Sequence, residues 1–237
     1  MTELDRLAGI VISPAKTLED IDRRPSWVLP LILLLVFNFA VTFVVYRVLV
    51  TDSNFDRVAL AKIQWEGSAQ VPIAQQIAAL RGQRERWYLL PVFAVVISTL
   101  ALSVFFYVVL RLARAGPTFL KVFCVVCWSF VIYRVLGGTL TIIALLVRGP
   151  ANFFPAAPEA WSPTSMAHLV SRAAVNHNVY SAISKLDVFL VWWLIVLAIG
   201  FSKTSRNLSI GRSAAIVSIA EVGYLVLDAL GALPGVS

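Results

Sequence analysis

WVLPLILLLVFNFAVTFVVYRVL, residues Trp27–Leu49, decides the fold class. At 1.5 Å per residue such a run reaches about 34 Å as a helix, enough for a hydrocarbon core of about 30 Å. Four more runs follow: Tyr88–Leu112, Val122–Val147, Leu186–Ser202 and Ser213–Leu233. The fourth is the shortest and depends on its flanks. None shows the ten-residue alternation of a barrel strand, and every backbone group in lipid must be bonded within its own helix. The expectation is an all-α polytopic membrane protein: a five-helix transmembrane bundle over residues 26–237, preceded by a cytoplasmic amphipathic arm over residues 1–25.

Composition agrees. Only 14% of the residues are charged, against about 25% in soluble domains, too few to cover a water-soluble globule. A soluble enzyme, a secreted disulfide scaffold and a disordered tail are excluded. The net charge of +7 comes from Lys and Arg flanking the apolar runs, where orientation and anionic lipid account for them. No nucleic-acid site is expected. The first run is too long for a signal-peptide core and has no small-residue cleavage site after it, so it reads as an anchor.

Five spans divide the remaining residues between two sides. Residues 1–25, 111–121 and 203–212 hold ten basic residues in 46 positions; residues 50–87, 148–185 and 233–237 hold eight in 81. The short loops carrying Arg111, Arg114, Lys121, Lys203, Arg206 and Arg212 decide the orientation: N-terminus cytoplasmic, C-terminus outside, in the plasma (inner) membrane. Arg81, Arg84 and Arg86, just before the second run, oppose this from a long loop.

Outside the spans, Thr17-Leu-Glu-Asp resembles a helix-capping signal, with a short helix ending before Pro25. In the first outer loop Ser53-Asn-Phe-Asp is a second such signal, followed by Val58, Ala59, Ile63 and Trp65, then Ile73, Ile77 and Leu80 after Pro72. This spacing predicts two surface helices, lying at the interface or packed on the outer ends of the spans. The second outer loop, with Pro150, Pro155, Pro158 and Pro163, is expected to be mostly irregular.

Chemistry in a membrane protein is sought among polar residues at depth. Arg134 sits mid-way along the third run, Glu221 and Asp228 in the fifth, Asp187 at the outer end of the fourth and Asn38 in the first. Counted from Lys121 and Arg212, Arg134 lies about 20 Å in, Glu221 about 13 Å and Asp228 about 24 Å. Two acids thus bracket the arginine. Steps of three and four from Arg134 reach Cys124, Cys127, Val131, Gly138 and Thr141. That small, polar stripe places Arg134 on a packed face. A structural ion pair fixing helix register is the favoured reading, a proton or cation pathway the alternative.

Cys124 and Cys127 have the spacing of a redox pair but lie inside an apolar run, so they read as small packing residues. His168 and His177, in the second outer loop, have no acidic cluster beside them, so no metal site is expected. No nucleophile and base can be named. No enzyme, catalytic residue or cofactor is predicted.

LDVFLVWWLIVLAIGFSKTS, residues 186–205, followed by LSIGRSAA and the fifth run, resembles the C-terminal signature of the Yip family of Ypt/Rab-interacting proteins. There an Asp-x-Phe-x-x-Trp run opens the fourth span and a Gly closes it, as Asp187, Phe189, Trp192 and Gly200 do here. SPAKTLEDIDRRPSWVLPL is similar to the family's Pro-containing amphipathic lead into the first span, with Pro14, Thr17, Ile21, Pro25, Trp27 and Pro30 in place. The Asp-Leu-x-Gly-Pro and Gly-Tyr-Gly motifs of the eukaryotic members are absent and the N-terminal arm is short. The chain is therefore similar to the compact prokaryotic branch, and small-GTPase binding is not implied.

Two functions follow as expectations. One is a non-enzymatic membrane adaptor or organiser that contacts membrane lipids and another membrane protein or a second copy of itself. The alternative is a small permease or proton or cation pathway through Arg134, Glu221 and Asp228.

Overall fold

The computed structural model of the chain describes residues 1–66, 72–82, 86–149, 162–171 and 174–230. Regular structure among these residues is helical throughout. Four helices are long and apolar enough to cross a membrane: Val28–Leu49, Val92–Leu112, Phe119–Arg148 and Ile210–Ala229. Asn178–Ser184 and Val188–Thr204, bent by 66°, make a fifth if the two halves count as one span. The chain is thus an all-α polytopic membrane protein.

Two helices precede the first span, α1 (Glu3–Ile12) and α2 (Pro14–Arg23). α3 (Val28–Phe43) runs into a π-helical stretch, Val44–Leu49. α4 (Phe55–Glu66), α5 (Ile73–Gly82) and α6 (Arg86–Leu112) follow. α7 (Phe119–Phe130) passes through a second π-helical stretch, Val131–Gly137, into α8 (Gly138–Arg148); then come α9 (His177–Ser184), α10 (Val188–Thr204) and α11 (Ile210–Ala229). Contacts group the residues into a first unit, Met1–Phe37, Phe93–Leu136 and Phe189–Gly223, and a second, Asn38–Val92, Gly137–Val188 and Tyr224–Ser237.

The first unit is built around α7, whose residues Val122 to Phe130 are all buried. A helix apolar on every side needs neighbours on every side. Trp193 of α10 lies parallel to Phe130, ring centroids 5.4 Å apart, and donates its indole N–H to Ser129 Oγ at 3.1 Å. Gly200 lets the backbones of α10 and α7 approach: a Cβ there would collide with Val125 Cγ1 and come within 3.3 Å of Leu18. We expect Gly200→Ala to lower stability by about 1–3 kcal/mol through overpacking, and Val125→Ala to restore part of the loss. Thermal melts of the two single variants and the double variant in detergent check this, and simple additivity would contradict it.

α6 shows the pattern that lipid as solvent demands. Phe93, Ile97 and Val104 are exposed while Thr99 and Ser103 are fully buried, their hydroxyls donating to the carbonyls of Val95 and Thr99 at 2.6 Å each. Polar atoms turn inward because the bilayer offers them no partner.

α1 and α2 correct the reading of the arm. The capping box is at Thr2: its hydroxyl accepts from Asp5 N at 3.1 Å, and its own N–H donates to the Asp5 carboxylate at 2.8 Å. These bonds, the backbone one first, hold the Asp5 carboxyl below its usual range. Thr17 is not a cap; it lies inside α2, which starts at Pro14, where a missing N–H costs nothing. The Thr17 hydroxyl donates to Ser13 O at 3.2 Å, and a Cβ at Gly9 would collide with it, so the two helices cross closely.

In the second unit Val45, Leu49, Val50, Phe55, Val58, Ala59 and Leu145 form one buried cluster, with Ile77 and Leu80 packed against it. α4 and α5 therefore cover the ends of the first and third spans. Arg81 of α5 pairs with Asp56 at 2.5 Å and lies over the Phe55 ring. The second capping signal works differently from expectation, since Asn54 Nδ2 donates to Leu49 O at 2.7 Å where the π-helical stretch ends. The Trp65 and Arg86 side chains, Arg84, Pro150, Pro155 and Pro158 lie outside the described residues.

Candidate functional site

The loop between the third and fourth runs, expected to be mostly irregular, holds two short helical elements among residues 162–171 and 174–187. Ser165 Oγ accepts from Ala167 N at 3.1 Å and so opens a short 3₁₀ turn, Met166–Leu169. Asn176 Oδ1 accepts from Val179 N at 2.8 Å and caps α9. α9 then stops at Ser184, and α10 starts at Val188 after the 66° bend. Such a break leaves carbonyls without helical partners. Here Ser165 Oγ donates to Ser184 O at 2.7 Å and Met166 N donates to Leu186 O at 2.9 Å. The loop braces the break.

Lys185 occupies this break and is 5% exposed. Its ammonium lies 2.8 Å from Asp228 Oδ2 of α11, 3.3 Å from the Tyr224 hydroxyl and 4.9 Å from the Tyr224 ring centroid. Asp228 is equally buried. The ammonium approaches Oδ2 without hydrogen-bond alignment, so the pair is bound by charge more than by direction. Its place at the C-terminal end of α9 also suits a cation, because helix carbonyls concentrate negative potential there.

Asp228, expected beside Arg134, thus pairs with Lys185. By sequence that lysine reads only as a loop charge. The signal was available: Asp228 lies about 24 Å from Arg212 along its helix, the depth of the N-terminal end of the fourth run, where Lys185 stands.

Arg134 is corrected as well. Cys124, Cys127 and Val131 are buried as the stripe predicts, but Arg134 is exposed. The reason is the π-helical stretch Val131–Gly137. Each residue added to a turn displaces the helical wheel by about 100°, which carries Arg134 off the stripe. Its guanidinium lies over the rings of Phe130 and Tyr133, 5.9 and 5.5 Å from their centroids. Among the described residues no acid lies within ion-pair distance of it.

Glu221 is half-buried on α11, and Asp187 is half-buried just before α10. Asn38 is half-buried in α3, its carbonyl accepting from Thr42 at 2.8 Å. Among the motif residues, Phe189 is half-buried and Trp192 faces outward, while its neighbour Trp193 packs inward. Pro14 opens α2, Pro25 follows it, and Trp27 rests on Phe123 with centroids 5.7 Å apart. Cys124 and Cys127 are free and fully buried. His168 Nε2 lies 2.9 Å from Ser162 O, holding the 3₁₀ turn; the His177 side chain lies outside the described residues.

Compared with known protein families, the chain matches the Yip1 domain over residues 8–230. No curated protein and no solved structure matches the chain.

Proposed function

This chain belongs to the Yip family of membrane proteins, and from that premise we propose that it works without catalysis, as an adaptor that holds another membrane protein or a second copy of itself within the bilayer. The observation carrying this reading is Arg134. It stands mid-way along the 30-residue helix Phe119–Arg148, near the middle of a hydrocarbon core about 30 Å thick. An arginine at such depth costs about 2.5–3.5 kcal/mol in lipid. Exposed here, with two aromatic rings on one side, it suits a partner helix that brings a carboxylate. The short basic loops favour a cytoplasmic N-terminus and an outside C-terminus, in the plasma membrane, as part of this reading. Small-GTPase binding is not part of the proposal.

Photo-crosslinkers at Leu136 and Leu140, both exposed on the same span as Arg134, test this in native membranes. We expect a discrete adduct whose mass distinguishes a second copy from another protein, and its loss in Arg134→Leu. The purified variant should be as stable as the parent or more so, because the exposed charge is gone. An adduct unaffected by the substitution, or a destabilised monomer, would refute the reading.

A second reading, a proton or cation pathway, is favoured by the break between α9 and α10 with its buried Lys185–Asp228 pair. Discontinuous helices bearing charges at the break are the usual material of transport sites. Proteoliposomes that show no proton, cation or small-solute flux would set it aside.

A further inference from the structure

α1 and α2 form one hairpin but present opposite surfaces. The outward positions of α2 include Lys16 and Arg23, while Leu18 and Ile21 are fully buried. α1 does the reverse. Its arginine, Arg6, is 2% exposed and turned inward, its Asp5 is engaged in the cap, and Leu4 and Ile12 stand 73% and 80% exposed with Ala8 between them. Residues 4, 8 and 12 lie in one row along a helix. A helix that turns its one cation inward and an apolar row outward, with Asp5 exposed only at its capped start, beside a helix that buries its apolar residues, is not shaped for water along that row.

Arg6 also sets where this face lies. Its guanidinium donates to Ser26 Oγ at 2.5 Å and to Arg24 O at 3.0 Å, two and four residues before α3 begins its span at Val28. The middle of α1 is therefore held within one side-chain length of the point where the chain enters the membrane. The same unit exposes Lys16, Arg24, Arg114 and Arg206, and Arg23 and Lys203 share the single acid Glu19, while Asp20 and Asp22 are half-buried in ion pairs. Apolar residues on one helix and a surplus of cations around it match the boundary of an anionic bilayer leaflet.

We propose that α1 lies along the headgroup region of an anionic leaflet, with the Leu4, Ala8 and Ile12 row turned toward the acyl chains and the surrounding cations on lipid phosphates. The helix would give an otherwise transmembrane protein a lateral contact that responds to lipid charge.

The test uses the full-length protein labelled with a small fluorophore at Ala8→Cys, the native cysteines being buried, in nanodiscs of phosphatidylcholine with and without phosphatidylglycerol. Lys16→Cys, on the charged face of α2, is the aqueous control. With phosphatidylglycerol present we expect the residue 8 label to be quenched by nitroxide lipids and shielded from iodide, with the residue 16 label showing the reverse. Leu4→Ser with Ile12→Ser should raise iodide quenching at residue 8 several-fold. Equal iodide access at both positions overturns the proposal. So does shielding from iodide without nitroxide quenching, which would mean that protein covers the row. Purified protein suffices, so the result stands apart from the Arg134 crosslinking.

Discussion

Lys185→Met is expected to destabilise the chain by about 3–5 kcal/mol, the cost of removing one partner from a buried ion pair. Asp228 would remain 5% exposed with its carboxylate uncompensated, since Lys185 is its partner. The reverse change should cost less. In Asp228→Leu the ammonium keeps the Tyr224 hydroxyl at 3.3 Å and the Tyr224 ring below it, two contacts that still favour a cation. The pair's desolvation nearly cancels its attraction, so Lys185→Met together with Asp228→Leu should return most of the lost stability. Helical circular dichroism during thermal unfolding in detergent reads all three. A double variant as unstable as the worse single one would mean that the surrounding packing, not the pair, carries the effect. A double variant that is stable yet inactive in a flux assay would move the pair from structure to transport.

What the sequence disclosed and what it hid have physical causes. The spans were legible because burial in lipid needs only length and apolarity, and both survive errors of a few residues at the ends. Register was not. The stripe through Cys124, Cys127 and Arg134 assumes 3.6 residues per turn, and the π-helical stretch at Val131–Gly137 breaks that assumption three residues before the arginine. Nothing in VIYRVLG announces such a stretch. The bend before α10 was hidden for a related reason, because SKLD contains neither Gly nor Pro, and the bend depends on Ser165 and Met166, which lie far away in sequence. Trp192 and Trp193 show the limit of motif matching: adjacent positions differ by about 100° on a helix, and the second, not the first, meets Phe130. Lys185 was within reach, because the depth arithmetic applied to Arg134 finds it opposite Asp228. Helix α1 was within reach too. Thr2-x-x-Asp5 is a capping box with Asp in place of the commoner Glu, and LAGIVI after it is too short to span and too apolar for a loop.

Arg6→Met is expected to release the N-terminal hairpin at a cost of about 3 kcal/mol, because several charge-assisted bonds are lost at once. The guanidinium donates to Asp20 Oδ2 and Glu3 Oε1, each at 2.8 Å, as well as to Ser26 and the Arg24 carbonyl. α2 would remain tethered by Lys121 to Asp22 and by Lys203 to Glu19, so loosening rather than unfolding should follow. A nitroxide at Lys16→Cys reports it as increased mobility, and Cys124, buried in α7 beneath α2, should become open to alkylation. Acid should reproduce the effect in the parent protein. The hydrogen bond from Arg6 holds the Asp20 carboxyl below its ordinary value of 3.8. A carboxyl depressed in the folded state contributes stability in full above the ordinary value and loses it as pH falls through the depressed one. The parent's hairpin should therefore stay docked at neutral pH and loosen only below about pH 4. In Arg6→Met this acid step should disappear, because Asp20 has lost the group that depressed it. A nitroxide equally mobile in parent and variant at neutral pH would show that apolar packing of Ile10, Leu18 and Ile21 holds the hairpin without Arg6.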